Sequence, residues 1–321
     1  MGRPVDGAAG SDARVTMDAV AIREVRNAIR GEIRGRLFTF KVLVCAVLTA
    51  AGCWLALQSQ ISLRVCGVLL IGLMFAHAAE LQHETLHGLA YRSRRANRVV
   101  GVVLGLPMLI SFTAYRVAHM RHHRDLGTPG NREFFDYGDQ YGKGERGSRV
   151  GTALTWFARF TMAFHYWQFA IGVGKAVRGS TFDGESAVNT RRIRAEHLLA
   201  VTALLVAVVL SVVFASPAAL WLWLLPMVLV AAPMHALIEL PEHFRCDTLD
   251  RSPFANTRTI RSNRLLTWYT NGNNFHVEHH LMPNLPIERL PDLHVEVRES
   301  LRHYHPGYFA YFRSFLGAGG K

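Results

Sequence analysis

The chain has 321 residues, half of them apolar, with a mean hydropathy of +0.13 and a formal net charge of +12. That composition points to a membrane protein. The charge does not make it a nucleic-acid binder, because Arg is spread over every polar segment and no zinc-finger, homeodomain or basic-zipper pattern accompanies it. The four cysteines, Cys45, Cys53, Cys66 and Cys246, form no CxxC pair, which excludes a disulfide framework or an iron–sulfur cluster.

Residues 1–36 read as a polar N-terminal segment, Gly/Ala/Asp-rich and disordered up to about residue 14. From Val15 the apolar positions Ile22, Val25, Ile29, Ile33 and Leu37 recur at three or four. Arg23, Arg26, Arg30 and Arg34 follow one position behind. This pattern fits either a helix lying flat on an anionic inner leaflet or a solvated charged helix leading into the first span. No signal peptide is expected, since the first apolar run begins only near Leu37.

Residues 37–310 form the membrane domain and 311–321 a tail. Four stretches approach the 20 or so apolar residues that a crossing needs: Phe38–Leu57, Val65–Gln82, Leu198–Ala215 and Ala218–Leu240. Ala50 and Gly52 fit a helix contact, and Trp221 and Trp223 an interface anchor. Gln58–Arg64 carries one Arg and Ser216–Pro217 carries no charge. The other basic residues outside the spans lie in the N-terminal segment, in 91–196 or after 241. By the positive-inside rule those three regions, and both termini, are cytoplasmic.

Eight of the sixteen histidines fall into three windows: His83-Glu-Thr-Leu-His87, His119-Met-Arg-His122-His123 and His276-Val-Glu-His279-His280. Spacings of three and four stack side chains on one helix face, so each window aims two or three imidazoles at one point. Neutral imidazole suits divalent iron, zinc or copper. Eight exceed the needs of one ion and favour two metals in one nitrogen cage. The windows can meet only on one side of the membrane, so the chain between them crosses an even number of times. Val99–Ala114, short and holding Pro107, is therefore expected to be re-entrant or interfacial. Gly151–Gly174 is expected to lie along the interface with Trp156, Tyr166 and Trp167 at headgroup level. Arg92, Arg94, Arg95 and Arg98 read as a lipid-headgroup anchor.

His83-Glu84-Thr-Leu-His87 also fits H-E-x-x-H, with Glu84 as general base of a membrane zinc hydrolase. That reading leaves the other six clustered histidines unexplained. With a metal cage, Glu84 is expected to accept a hydrogen bond from a ligand imidazole. His77 and Glu80, ionisable and inside the second span, either line a substrate tunnel or pair with each other. His165, His197, His294, His303 and His305 stand alone.

The three windows, with Asn273-Asn-Phe-His276-Val-Glu-His279-His280-Leu-Met-Pro283 and Leu290-Pro-Asp-Leu-His294 after the third, resemble the membrane fatty acid desaturase superfamily over about residues 38–310. That superfamily includes acyl desaturases, lipid and alkane hydroxylases, and carotenoid ketolases and hydroxylases. The resemblance implies an all-α integral membrane protein: four transmembrane helices and a cytoplasmic helical cap holding a His-rich di-metal site. It implies two iron ions, with dioxygen as co-substrate. It implies a further ligand between the last span and the third window, for which His243 is the first choice and His235 the second. The expected metal ligands are thus His83, His87, His119, His122, His123, His243, His276, His279 and His280. Where some relatives carry an Asn four residues before that further ligand, this chain has Glu239. The expected activity is desaturation of a fatty-acyl chain in a bacterial inner membrane, with lipid or small-molecule hydroxylation as the alternative on the same fold. Without a flavin, nicotinamide or haem-domain pattern in the chain, electrons are expected from a separate ferredoxin-, rubredoxin- or cytochrome b5-type protein.

Overall fold

The computed structural model describes residues 33–131 and 149–317, so nearly all of the amphipathic stretch from Val15 lies outside the described residues. In chain order the helices are α1 (Gly35–Ala56), α2 (Ile61–Leu86), α3 (Arg94–Gly105), α4 (Phe112–Asp125), α5 (Arg149–Phe160), α6 (Ala163–Val177), α7 (Ala187–Val213) and α8 (Leu220–His243). Shorter ones follow: α9 (Pro253–Asn256), α10 (Arg264–Tyr269), α11 (His276–Leu281), α12 (Leu290–Val297) and α13 (Tyr308–Gly317). Strand β1 (Thr259–Ile260) pairs in parallel with β2 (Tyr304–His305).

Helices α1, α2, α7 and α8 are long and apolar enough to cross a membrane, and each covers most of one expected span. Their bounds differ from expectation for physical reasons. Helix α7 starts at Ala187, not near Leu198, because Ser186 caps it by accepting from the Asn189 N–H. The added turns carry Arg191, Arg192 and Arg194, too polar for the apolar layer. The 26 residues of α2 reach roughly 39 Å, more than the ~30 Å of hydrocarbon, so its last turns project beyond it. Helix α8 is wound wider over Leu220–Leu224 and Pro226–Ala231, with five-residue hydrogen-bond steps, and becomes α-helical from Ala232.

The stretch Val99–Ala114 is broken by a sharp bend. Helices α3 and α4 are bent by 99° across a short break. Leu109 at the tip holds φ at 59°, a conformation L-residues seldom adopt. Ser93 and Ser111 cap the two arms through the Ala96 and Ala114 N–H groups. Helices α5 and α6 are separated by a second break, where Met162 has φ 51°. Trp167 there is exposed. Trp156 is half-buried: it packs on Phe244 and Phe315 and lies under the Arg159 guanidinium at 4.5 Å. The tail boundary at 311 is also crossed by structure, since α13 runs through it with Tyr311 buried and Phe315 against Phe244.

Helix α2 is the centre of the molecule, with α1, α3 and α8 against it. Its crossing with α1 runs over Gly52 and Gly67; Ala50, expected beside Gly52, faces outwards. A Cβ on Gly67 would lie 2.3 Å from the Ala56 backbone nitrogen, which only backbone separation can relieve. Gly67→Val should therefore cost at least about 2 kcal/mol and lower the melting temperature in detergent. An unchanged melting temperature would show that the two spans do not cross this closely.

Candidate metal centre

Three helix ends and one short cap helix converge on a single point. His83 and His87 stand at the C-terminal end of α2; His119, His122 and His123 lie in the last turns of α4; His243 ends α8; and His276, His279 and His280 occupy α11. Carbonyls left over at these ends are held by guanidiniums. Arg116 Nε donates to Leu86 O at 2.9 Å, and Arg258 donates to Pro241 O and, at 2.8 Å, to Phe244 O. The α11 approach is pinned to β1: Ile260 N–H donates to Asn274 O at 2.9 Å and Asn274 Nδ2 to Ile260 O at 2.8 Å.

All nine expected ligands come together, in two groups. His83, His87, His119 and His279 place one ring nitrogen each within 4.8 Å of the others; His122, His243, His276 and His280 do the same. His123 joins the first group, its Nε2 lying 3.0 Å from that of His119 and 3.1 Å from that of His279. His235 is not in the cage. It lies deeper on α8 with Glu80 and Glu239, a third set of converging ligand atoms.

The close contacts within the cage test whether metal fits. His119 Nε2 faces the Nε2 atoms of His87, His83 and His123 at 2.8, 2.9 and 3.0 Å. A ring nitrogen carries one proton or one lone pair, so it cannot be hydrogen-bonded to three partners at once. In the second group His276 Nε2 faces His243 Nε2 at 3.0 Å, His280 Nε2 at 3.2 Å and Glu242 Oε2 at 3.2 Å. Two donors each ~2.1 Å from one ion and at right angles are ~3.0 Å apart. The arrangement therefore has the spacing of neighbouring ligands around a cation in each group, and the residues fit two ions.

Three rings have their tautomer fixed from behind. His83 Nδ1 faces Asn273 Oδ1, His122 Nδ1 faces Asn131 Oδ1 and His243 Nδ1 faces Asn256 O, each at 3.0 Å. A proton on each Nδ1 leaves Nε2 bare and aimed into the cage. The windows alone gave no indication of Asn131 or Asn256; a short polar residue on a cap loop has no periodic signal. The expectation for Glu84 needs correcting. It accepts from Asn271 Nδ2 at 3.0 Å and lies 3.9 Å from Lys41 Nζ, not against a ligand imidazole. Held there, it is turned away from the cage and cannot serve as the base of a zinc hydrolase. Lys41 itself, on α1, also meets Glu288 at 2.5 Å, a contact with no trace in local sequence. Glu278, in the third window, is likewise turned outwards, to His294 Nδ1 at 2.5 Å and Thr259 Oγ1 at 2.6 Å. His77 and Glu80 do not pair: His77 Nδ1 meets Tyr269 O at 2.7 Å, while Glu80 meets His235.

Beside α4 lies a cavity of about 290 Å³ between α4, α6 and α7. Leu109, Ile110 and Phe169 form apolar walls; Lys175 and Phe182 line it; and Tyr115 and Ala118 bring it to within one turn of His119 and His122. His165 and His197, which had no cluster to belong to, also line it.

A family model for fatty acid desaturases matches residues 59–312, most of the chain. The chain belongs to the fatty acid desaturase family. Direct comparison with curated proteins returns no match. Membership gives an oxidoreductase of the desaturase and hydroxylase type and implies a lipid substrate, and the four membrane-length helices fit a membrane protein.

Burial, reinforced by the neighbouring imidazoles, holds His87, His119, His276, His279 and His280 well below the ordinary histidine value of 6.5. The folded state thus binds fewer protons than the unfolded chain once pH falls below that value, and stability falls with it. The melting temperature of metal-free protein should drop steadily from pH 7 to pH 5.5. A flat profile would mean that these rings protonate in place.

Proposed function

We propose that this protein is an O2-dependent di-iron oxidoreductase that introduces a double bond into a fatty-acyl chain at the cytoplasmic side of the membrane. The observation that carries the reading is the convergence of nine imidazoles into two groups with bare nitrogens facing one another, in a chain of this family. Loaded with iron, the cage would supply the electrons and open positions needed to activate dioxygen against an unactivated C–H bond.

The chain's own residues supply placement. The cavity beside α4 would hold a length of acyl chain against Leu109, Ile110 and Phe169, keeping water from the reacting carbons. Ala118 leaves room at its inner end, immediately before His119, and Tyr115 closes the wall with its ring 5.9 Å from that of His119. Lys175 lines the same cavity with its ammonium paired to Asp183 at 2.9 Å, a polar end that suits a polar head. Whether loss of a second hydrogen or transfer of oxygen completes the reaction depends on sub-ångström placement of the chain. The positive-inside distribution supports the cytoplasmic assignment. Electrons are supplied by a separate ferredoxin-, rubredoxin- or cytochrome b5-type donor.

Metal analysis of the purified protein should find about two irons per chain. Lipid mass spectrometry of cells expressing the wild type with a ferredoxin system, compared with His279→Ala, should find acyl species lighter by two hydrogens, absent under anaerobiosis. Species heavier by one oxygen would make the enzyme a hydroxylase instead. One zinc and no iron, with oxygen-independent hydrolysis, would sink the redox reading.

A further inference from the structure

One helical turn before the imidazoles, each ligand-bearing element carries a second polar side chain. Glu80 precedes His83 by three residues on α2, and Tyr115 precedes His119 by four on α4. Glu239 precedes His243 by four on α8, and Asn273 precedes His276 by three just ahead of α11. On a helix those offsets place both residues on one face, so the same packing that gathers the imidazoles gathers this second set. His235, one turn further back on α8, joins it.

The contacts form an unbroken chain. Tyr115 Oη donates to Glu239 Oε1 at 2.9 Å, and His235 Nε2 lies 3.4 Å from the same oxygen. His235 Nδ1 lies 3.0 Å from Glu80 Oε1, and Asn273 Nδ2 donates to Glu80 Oε2 at 2.6 Å. Asn273 Oδ1 then meets His83 Nδ1 at 3.0 Å. Glu80 and His235 are 1 % exposed, and Tyr115 lines the cavity at the other end. Glu80, His235 and Glu239 have the residue types of a third metal site. They differ from the cage in one respect: the contacts above join nitrogen or hydroxyl to oxygen, and a His235 that donates from both ring nitrogens satisfies both carboxylates without a metal ion.

We propose that Glu80 and His235 are positioning residues that orient His83, and with it the first metal position alone. The inference rests on reading the cage as a metal centre. An asparagine amide can face either way; Glu80 accepts from Nδ2 and so obliges Oδ1 to face His83. That places the proton on His83 Nδ1 and leaves Nε2 bare for metal. His276 and His279 have no such support, since their buried Nδ1 atoms find no partner among the described residues. The second group takes its orientation elsewhere, from Asn131 at the end of the α4 loop and from the Asn256 carbonyl. Breaking the chain at Glu80 should therefore weaken one metal position and spare the other.

The test is cobalt(II) titration of the metal-free, full-length protein in detergent, following ligand-field absorption and bound metal. Wild type should take up two ions. Glu80→Leu removes the acceptor and should weaken one position 10- to 100-fold with the other unchanged. Glu80→Gln keeps a carbonyl for Asn273 and should bind two ions as wild type does. The inference is overturned if Glu80→Leu binds both ions as tightly as wild type, if it loses both alike, or if Glu80→Gln fails as the leucine variant does. Cobalt binding reads the cage without its oxygen chemistry, so a protein that passes here but makes no oxidised lipid refutes the proposed reaction alone. A wild type that binds no cobalt refutes the cage, and this inference with it.

Discussion

Bare imidazole nitrogens crowded to within about 3 Å of one another repel unless a cation lies between them, and the rest of the structure is arranged around that constraint. The two convergent groups are built of neutral imidazoles, with the Glu242 carboxylate 3.2 Å from His276 Nε2 beside the second, so most of the positive charge of two bound ions would be balanced from outside. Carboxylates stand around the cage, with Glu80, Glu84 and Glu278 almost fully buried. Each is held in place by named partners: Asn273 and His235, Lys41 and Asn271, Thr259 and His294. A buried carboxylate with such partners can lower the cost of a nearby cation without occupying a coordination position.

The helices reinforce the same electrostatics. Helices α2, α4 and α8 all present their C-terminal ends to the cage, where the partial charge of the helix is negative and favours a cation. That geometry leaves carbonyls unsatisfied in a crowded place, which explains the long reach of Arg116 back to Leu86 and of the buried Arg258 to the end of α8. Arg258 also stacks over Tyr311 at 5.0 Å, so α13 helps to fix the cap that carries α11.

Much of this was legible in the sequence because it depends on local spacing. H-x-x-x-H and H-x-x-H-H specify a shared helix face whatever surrounds them, and an apolar run of sufficient length specifies a span. The meeting of the windows followed from the need for them to share one site. The partners of the imidazoles were not legible, because Asn131, Asn256 and Lys41 reach their contacts through packing between distant segments. Glu84 and Glu278 show the converse. Each sits inside a ligand motif, yet a residue one position along a helix from a ligand points about 100° away from it. Both therefore face outwards. The pairing of Glu80 with His235 could have been suspected, since each lies about one or two turns before a ligand on a span, at a depth where an ionisable group needs a partner.

The bent pair of α3 and α4 has the hardest physical problem, because the break interrupts helical hydrogen bonding at Met108, Leu109 and Ile110, all buried in the protein. Such backbone is tolerated only where protein satisfies it. Here Trp223 Nε1 donates to Pro107 O at 2.8 Å and Gln82 Nε2 to Gly101 O at 2.9 Å, so side chains from α8 and α2 supply what solvent cannot. The fit is close: a Cβ on Gly105 would lie 2.2 Å from that Gln82 amide. These bonds also fix how α4 stands against α2 and α8. A slip of α4 by one turn would remove His119, His122 and His123 from the cage and at the same time strip the tip of its donors. One set of contacts thus holds the bent pair together, aligns its imidazoles with those of α2 and α8, and sets the wall of the cavity that ends beside them.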